Sequence, residues 1–481
     1  MFLMLNPDHR QSSLVDKLRD FVLTFVWSLV CSVSLPEIST KRLAKKDKKI
    51  QKGGFEMKVI IVGGGWSGCA ASLSARKRGA EVTLLERTDM LLGTGLVGGI
   101  MRNNGRFTAT EEMIAMGGGD LFELTDQNAT HRGIEFPGHR HASLYNVATM
   151  EPRVKKLLLE RGIGVELAVR IDDVEMEGNR VKAVVGKRGG EKVRFEGEVF
   201  IDATGTAGPT ANCTKYGNGC AMCILRCPSF GGRVSPVAKA GVKEMIGRKG
   251  DIIGGMSGSC KLFKESLSQE IVDLLNKKGV AVIPVPPSER SKGKLSIKAC
   301  QQYALPEFEE NVVLLDTGHA KLMTPFFPLE SLRRIPGFEN ARYEDPYAGG
   351  LGNSIRYVGM APRDDSLKVK GIENLFCGGE KAGLLVGHTE AIITGTLAGH
   401  NAVRYVKKEK PLILSASIAI GDAIGYVRTQ MDTEEGLGYK YTFSGSVYFD
   451  RMKQKGLYSI DRKEIEKRVG LAGLSGIFSQ K

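Results

Sequence analysis

The sequence predicts an α/β fold: a mostly parallel sheet whose chain is interrupted by an inserted α/β segment and followed by a helical tail. Three stretches predict it. The first, KVIIVGGGWSGCAASLSARKRGAEVTLLER from Lys58, is an apolar run, a glycine turn, a helical stretch and a second apolar run. The second lies between Val165 and Gly205, where short alternating segments broken by Glu177-Gly178-Asn179 and Gly189-Gly190 end on FIDATG. The third is ENLFCGGE at Glu373–Glu380, an apolar run entering glycines, followed by the helical HTEAIITGTLAGHNAVRYV.

Each element has a physical reason. Val59 to Val62 is continuously apolar, as a strand covered on both faces requires. Gly63-x-Gly65-x-x-Gly68 supplies a tight turn, a close backbone approach to a pyrophosphate and close helix-to-strand packing. The helix N-terminus that follows presents N–H groups and a positive dipole end to phosphate, and Gly79 ends that helix in a left-handed conformation. Glu86, followed by Arg87, closes the second strand where a carboxylate accepts hydrogen bonds from both ribose hydroxyls of an adenosine. The bland alternative is a glycine turn with a salt-bridging glutamate, but strand, helix and acid together predict a Rossmann-like dinucleotide site. Further along, Asp202-Ala203-Thr204-Gly205 is a strand-end turn. Ala391, Gly395, Ala398, Gly399 and Ala402 leave room for close packing of the late helix on a sheet or cofactor.

The order of these motifs resembles the FAD-binding domain of glutathione-reductase-type flavoproteins. More narrowly, YNVATMEPRVKKLLLERGIGVELAVRI and FIDATG resemble the FAD-dependent oxidoreductase family. LRRIPGFENARY and GEKAGLLVGHTEAIITGTLAGHNA are similar to the tRNA uridine-modifying flavoproteins, the glucose-inhibited division protein A and folate-dependent methyltransferase group. The resemblance covers about residues 57–215 and 325–406. It implies an extended FAD with its pyrophosphate over Gly63, Gly65 and Gly68 and its adenosine ribose on Glu86. Backbone bonds from Val169 to adenine, closure by Gly205 over the nucleotide, and contact of Gly379 and Glu380 with the ribityl chain and phosphates are implied in the same way, and Arg87 and Asp202 are counted with the cofactor-binding residues. Glu380 stands where the uridine-modifying proteins have glutamine, and the region after Arg404 is shorter than their C-terminal helical region.

The resemblance further implies a discontinuous FAD-binding domain at residues 57–212 and 363–406, a substrate and cysteine domain at 213–362, and a helical C-terminal region at 407–481. No second GxGxxG in strand context occurs between Thr206 and Arg363, so no dedicated NAD(P)H domain is expected. The insert mixes a helix-like QEIVDLLNKKG with strand-like GVAVIPV and NVVLLDTG, and the tail reads as amphipathic helices.

A chain of 481 residues is long enough for two to three domains. Its 60 glycines are about 12% of the chain, against the ~7% usual in soluble domains. The net charge of +14 permits a polyanion such as tRNA as partner but does not establish one. Nine cysteines, five of them scattered (Cys31, Cys69, Cys260, Cys300, Cys377), argue against a secreted disulfide framework and for a reducing cytoplasm. Residues 1–56 carry the apolar run Phe21 to Leu35 and then KRLAKKDKK. They read either as a short apolar anchor or as translated upstream DNA, because Lys52 to Glu56 are encodable by a ribosome-binding sequence just ahead of Met57. Residues before Met57 in N-terminal sequencing of the native protein would exclude the second reading.

The remaining candidates carry chemistry. Cys220-x-x-Cys223-x-x-x-Cys227-Pro228, with Cys213 seven positions upstream, has thiolates close enough for an iron-sulfur cluster or zinc. Cys220 and Cys223 are equally a dithiol able to exchange two electrons with a flavin, and buried free thiols are the third reading. His388 and Glu390 are placed for general acid–base work at the flavin or for helix capping. His131, His139 and His141, with Arg132 and Arg140, are an anion-binding cluster or a solvated basic loop.

The function expected is an FAD-dependent oxidoreductase moving hydride between flavin and either a small substrate or the cysteine centre. A tRNA uridine-modifying flavoprotein and an electron-transfer subunit docking a partner protein are the alternatives. The expected setting is cytoplasmic, as a homo-oligomer, with no membrane association if Met57 is the start.

Overall fold

A computed structural model of the chain describes residues 57–206, 227–249, 252–256, 259–290, 303–324, 327–344, 355–356 and 358–479. Strand β1 (Lys58–Val62) buries its last four residues, as its apolar run demands. Helix α1 (Trp66–Lys77) follows the glycine turn and ends where Gly79 takes φ +87, and β2 (Glu81–Leu85) then lies parallel to β1 with Val82 opposite Val59. Next come α2 (Gly105–Ala115), the hairpin of β3 (Ala129–Phe136) and β4 (His139–Tyr145), α3 (Val147–Glu160) and β5 (Gly164–Glu166), which extends the sheet beyond β2. The meander is β6 (Val169–Glu177), β7 (Arg180–Arg188) and β8 (Glu191–Glu196), paired antiparallel. It feeds β9 (Val199–Asp202), which is wholly buried and runs parallel to β1 on the side away from β2.

The chain then leaves the parallel sheet through β10 (Met245–Ile246) and builds a four-stranded antiparallel sheet. Its elements are β11 (Cys260–Leu262), α4 (Gln269–Lys278), β12 (Val280–Pro284), β13 (Asn311–Asp316) and β14 (Ala320–Leu322). The order is β11-β14-β13-β12, over a core of its own that includes Leu262, Leu275, Leu314 and Phe338. Return is through β15 (Val358–Met360), which pairs antiparallel with β10, so the insert hangs on two adjacent strands. A smaller apolar cluster, with Phe136 and Leu144 against Val313 and Leu315, joins the β3–β4 hairpin to this insert.

Strand β16 (Leu375–Cys377) completes the parallel sheet in the order β16-β9-β1-β2-β5. Helix α5 (His388–Val406) crosses it, and Gly395 and Gly399 lie against the backbone of α1. A Cβ on Gly395 would stand 2.1 Å from the Ser67 carbonyl oxygen, and one on Gly399 2.3 Å from that of Ala71. The tail forms α6 (Ala419–Met431), α7 (Ser446–Gln454) and α8 (Arg462–Leu471). Ile420, Val427, Tyr448 and Val469 share one core with Ile60 and Leu84, so the tail is packed into the sheet's own core. Among the described residues no helix is long and apolar enough to cross a membrane, and the apolar run at 21–35 lies outside them.

Candidate functional site

A crevice runs across the carboxyl ends of β1, β2 and β9, the position where open α/β sheets bind ligands. It encloses about 1080 Å³ of space, its open mouth included. Glu86, Arg87, Val169 and Arg170 line one end, Gly63, Gly65 and Gly205 the middle, and Gly379, Glu380, Trp66 and His388 the other end.

The glycine turn is shaped by what its side chains would strike. Gly63 has φ +105, and a Cβ there would lie 2.5 Å from the Ala203 carbonyl oxygen. A Cβ on Gly68 would lie 1.9 Å from the Gly63 oxygen, so Gly68 packs beneath the crevice without lining it. At Gly65 the nearest atom to such a Cβ is 3.9 Å away, and at Gly205 (φ +67) nothing lies within 4 Å: at these two positions the absent side chain leaves space for a ligand. No side chain caps the N-terminus of α1, which begins at this turn, a geometry that suits an anion.

Glu86 is buried and holds the loop. Its Oε2 accepts from Gly64 N–H at 2.7 Å and its Oε1 from Thr88 N–H at 2.9 Å. Each carboxylate oxygen retains a second lone-pair site for a ribose hydroxyl. Val169 lines the crevice, and its N–H donates to the Glu86 carbonyl at 2.9 Å, fixing the start of the meander to the end of β2. Asp202 differs from expectation. It is fully buried off the crevice, where it accepts from Thr204 N–H at 3.0 Å and Val237 N–H at 3.1 Å and so shapes the strand-end turn. Gly379 N–H donates to Thr394 Oγ1 at 2.8 Å, and Glu380 accepts from Thr206 Oγ1 at 2.9 Å.

His388 faces the crevice with its ring 6.3 Å from that of Trp66, and Gly98 makes room for it, since a Cβ there would fall 1.8 Å from His388 Cε1. Glu390 does not face the crevice. Its carboxylate takes both contacts from Arg106 Nε, at 3.2 and 3.1 Å, and accepts from Thr442 Oγ1 at 2.7 Å and Phe443 N–H at 2.9 Å. Neither residue caps α5, whose N-cap is Gly387. Glu390 is thus a buried clamp on the C-terminal region.

The histidines are dispersed along the β3–β4 hairpin and none lines the crevice. His131 Nε2 lies 2.9 Å from Asp316 Oδ2, His139 stacks on Phe136 with centroids 4.6 Å apart, and His141 meets the Phe107 edge.

Of the cysteine string only Cys227 falls within the described residues; Cys213, Cys220 and Cys223 lie outside them. Cys227 starts a short helix whose following loop meets the end of the crevice at Arg87 and Arg170: Arg87 Nη1 donates to the Gly231 carbonyl at 2.7 Å and Arg170 Nε to that of Gly232 at 3.1 Å. Cys69, Cys227, Cys260 and Cys377 are free thiols. Burial pushes Cys377 up to about 12 and Cys69 higher still, so neither is a thiolate at neutral pH. Among the described residues no group of His, Cys, Asp or Glu is arranged to hold a metal ion.

Sequence reading missed Trp66, Arg170, Arg233 and Thr206. Arg170 adjoins Val169 and Trp66 sits inside the glycine motif, but Arg233 reaches the site only through the tertiary fold.

A model of the FAD-dependent oxidoreductases matches residues 58–211, and one of glucose inhibited division protein A matches residues 317–410. Over these two stretches the chain is similar to the GidA-like FAD-dependent oxidoreductases. Among curated relatives, the tRNA uridine 5-carboxymethylaminomethyl modification enzyme MnmG of Syntrophomonas wolfei is 24% identical over 420 residues, covering 76% of this chain and 65% of the relative. The MnmG of Acholeplasma laidlawii is 41% identical over 87 residues, 18% of this chain and 13% of the relative. The chain thus spans less than two thirds of the length of the curated relatives it matches first. Aquifex aeolicus GidA in its form II crystal shares the fold with a TM-score of 0.61 at 17% identity, covering 88% of this chain and 74% of that one. FAD is the cofactor that the first of these family models names, and the glycine cradle, the uncapped helix and the Glu86 carboxylate in the crevice fit it.

Proposed function

We propose that the chain is an FAD-dependent oxidoreductase acting on a uridine of tRNA. The observation that carries the flavin half is the crevice itself: a carboxylate and two arginines at one end, a glycine cradle on a helix N-terminus in the middle, and Trp66 with His388 at the other. FAD bound there supplies two-electron hydride chemistry. Gly63, Gly65 and α1 would hold its diphosphate, Glu86 its ribose, and Gly205, Gly379 and Glu380 the segment between. His388 is the titratable side chain placed to hold or pass a proton at its Nε2, and Trp66 beside it excludes water.

The tRNA half is supported by the activity that the MnmG relatives' names state and by the net charge of +14. A cytoplasmic location goes with that reading. A metal or redox role for Cys213, Cys220, Cys223 and Cys227 remains part of the proposal, and iron, zinc and sulfide analysis decides it.

The test is direct. Protein purified from flavin-replete cells is expected to be yellow, and to bind unmodified tRNA with an affinity that falls about 100-fold or more between 50 and 200 mM salt. Colourless protein that added FAD does not reconstitute removes the flavin reading. Yellow protein with no salt-sensitive tRNA binding returns the substrate to a small molecule or a partner protein.

A further inference from the structure

Beside the crevice lies a buried cluster that the cofactor chemistry does not use. Lys381 follows the crevice residue Glu380 and is completely buried. Its ammonium donates to Ser235 Oγ at 2.6 Å, to the Gly359 carbonyl at 2.7 Å and to Glu244 Oε1, with Asp202 Oδ2 3.8 Å away. Its own carbonyl accepts from Ala361 N–H at 2.8 Å.

Two of these partners are the roots of the insert. Glu244 immediately precedes β10, and Gly359 is inside β15, the paired strands by which the insert leaves and returns. Gly359 has φ +84, and a Cβ there would lie 2.6 Å from Glu244 Oε2 and 3.1 Å from Arg233 Nη2. Arg233 itself lines the crevice. So Glu380 and Arg233 face the ligand space, while Lys381, next to Glu380, bonds Glu244 and the Gly359 backbone on the insert's stem.

We propose that Lys381 is a positioning residue that couples the crevice to the stem of the insert, so that FAD bound against Glu380 and Arg233 holds the β10–β15 pair and with it the insert sheet. This rests on the reading that the crevice holds FAD. A buried ammonium is an expensive way to add stability alone, since apolar replacements of buried ion pairs are often neutral or stabilising. Its bonds to three separated segments, two of them the stem, give it a geometric task instead. The coupling is reciprocal: whatever tightens the stem raises FAD affinity by the same factor that FAD tightens the stem.

The test uses the full chain, stripped of flavin and then saturated with FAD, with flavin binding followed by fluorescence quenching. Trypsin reads the stem by cleavage after Arg248, which is exposed just beyond β10. FAD is expected to slow that cleavage about tenfold in the parent protein. In Lys381→Met and in Glu244→Gln, FAD should still bind but slow it less than about twofold. A lysine with only a structural role would speed cleavage equally with and without FAD, leaving the tenfold ratio intact, and that result overturns the proposal. If Lys381→Met does not accumulate folded, Glu244→Gln carries the same contrast. A parent protein that binds FAD without protecting the stem overturns the coupling alone, whereas one that binds no FAD overturns the flavin reading and the coupling together.

Discussion

Glu112 has no exposed surface, and it accepts from Ala419 N–H at 2.9 Å and Ile420 N–H at 3.0 Å at the start of α6. Burial outweighs these donors and the nearby Arg468, raising its pKa from 4.5 to about 7. An acid held above its unfolded value keeps its proton in the folded state while the unfolded chain has lost it. Stability is therefore expected to fall by about 3 kcal/mol as pH rises from roughly 4.5 to 7, and to level off above that. Urea midpoints across this range should show the slope in the parent protein and a flattened profile in Glu112→Gln. A slope unchanged in the variant would assign it to another group. Nothing near position 112 announces this role, because its partners lie 307 and 308 residues away. Glu86 was legible for the opposite reason: the loop it closes is only 22 residues upstream, and its strand, turn and helix are written in local apolar periodicity.

Helices α1 and α5 show what small residues in a helix are for. The stripe at Ala391, Gly395, Ala398, Gly399 and Ala402 was legible as a close-packing surface, but its partner was not. Gly395 and Gly399 meet Ser67 and Ala71, an i, i+4 pair on each side, so the backbones approach as closely as helices can. Gly395→Ala is expected to cost about 1–3 kcal/mol by overpacking, lowering the melting temperature by about 2–4 °C per kcal/mol. Gly425→Ala in α6, where nothing lies within 4 Å of the new Cβ, should raise stability by about 0.5–1 kcal/mol. Thermal melts of the two variants in parallel check both signs. The insert's α4, β12 and β13 were likewise readable from local pattern. That the amphipathic tail helices would enter the main core was not, since amphipathicity says that a face is buried and not against what.

At the scale of the molecule, the Arg106–Glu390 pair fastens α2, α5 and the segment at Thr442–Phe443 to one another. Arg106→Met leaves a buried carboxylate without its cation and is expected to cost about 3–5 kcal/mol. Urea denaturation should register this as an earlier transition of sheet and tail together, because they share a core. A tail that releases alone, with the sheet's midpoint unmoved, would contradict that shared core. The order of the sheet, β16-β9-β1-β2-β5, also has a temporal meaning. Its outermost strand β16 is separated from β9 by residues 203–374, and the crevice wall from Gly379 to His388 is translated later still. At ~5–20 residues per second a ribosome needs roughly 10–30 s to cross that gap. Throughout it, β9 is an unpaired apolar edge on a nascent chain. A ligand that needs both walls of the crevice would therefore be captured only late in synthesis, after the segment from Gly379 to His388 has emerged.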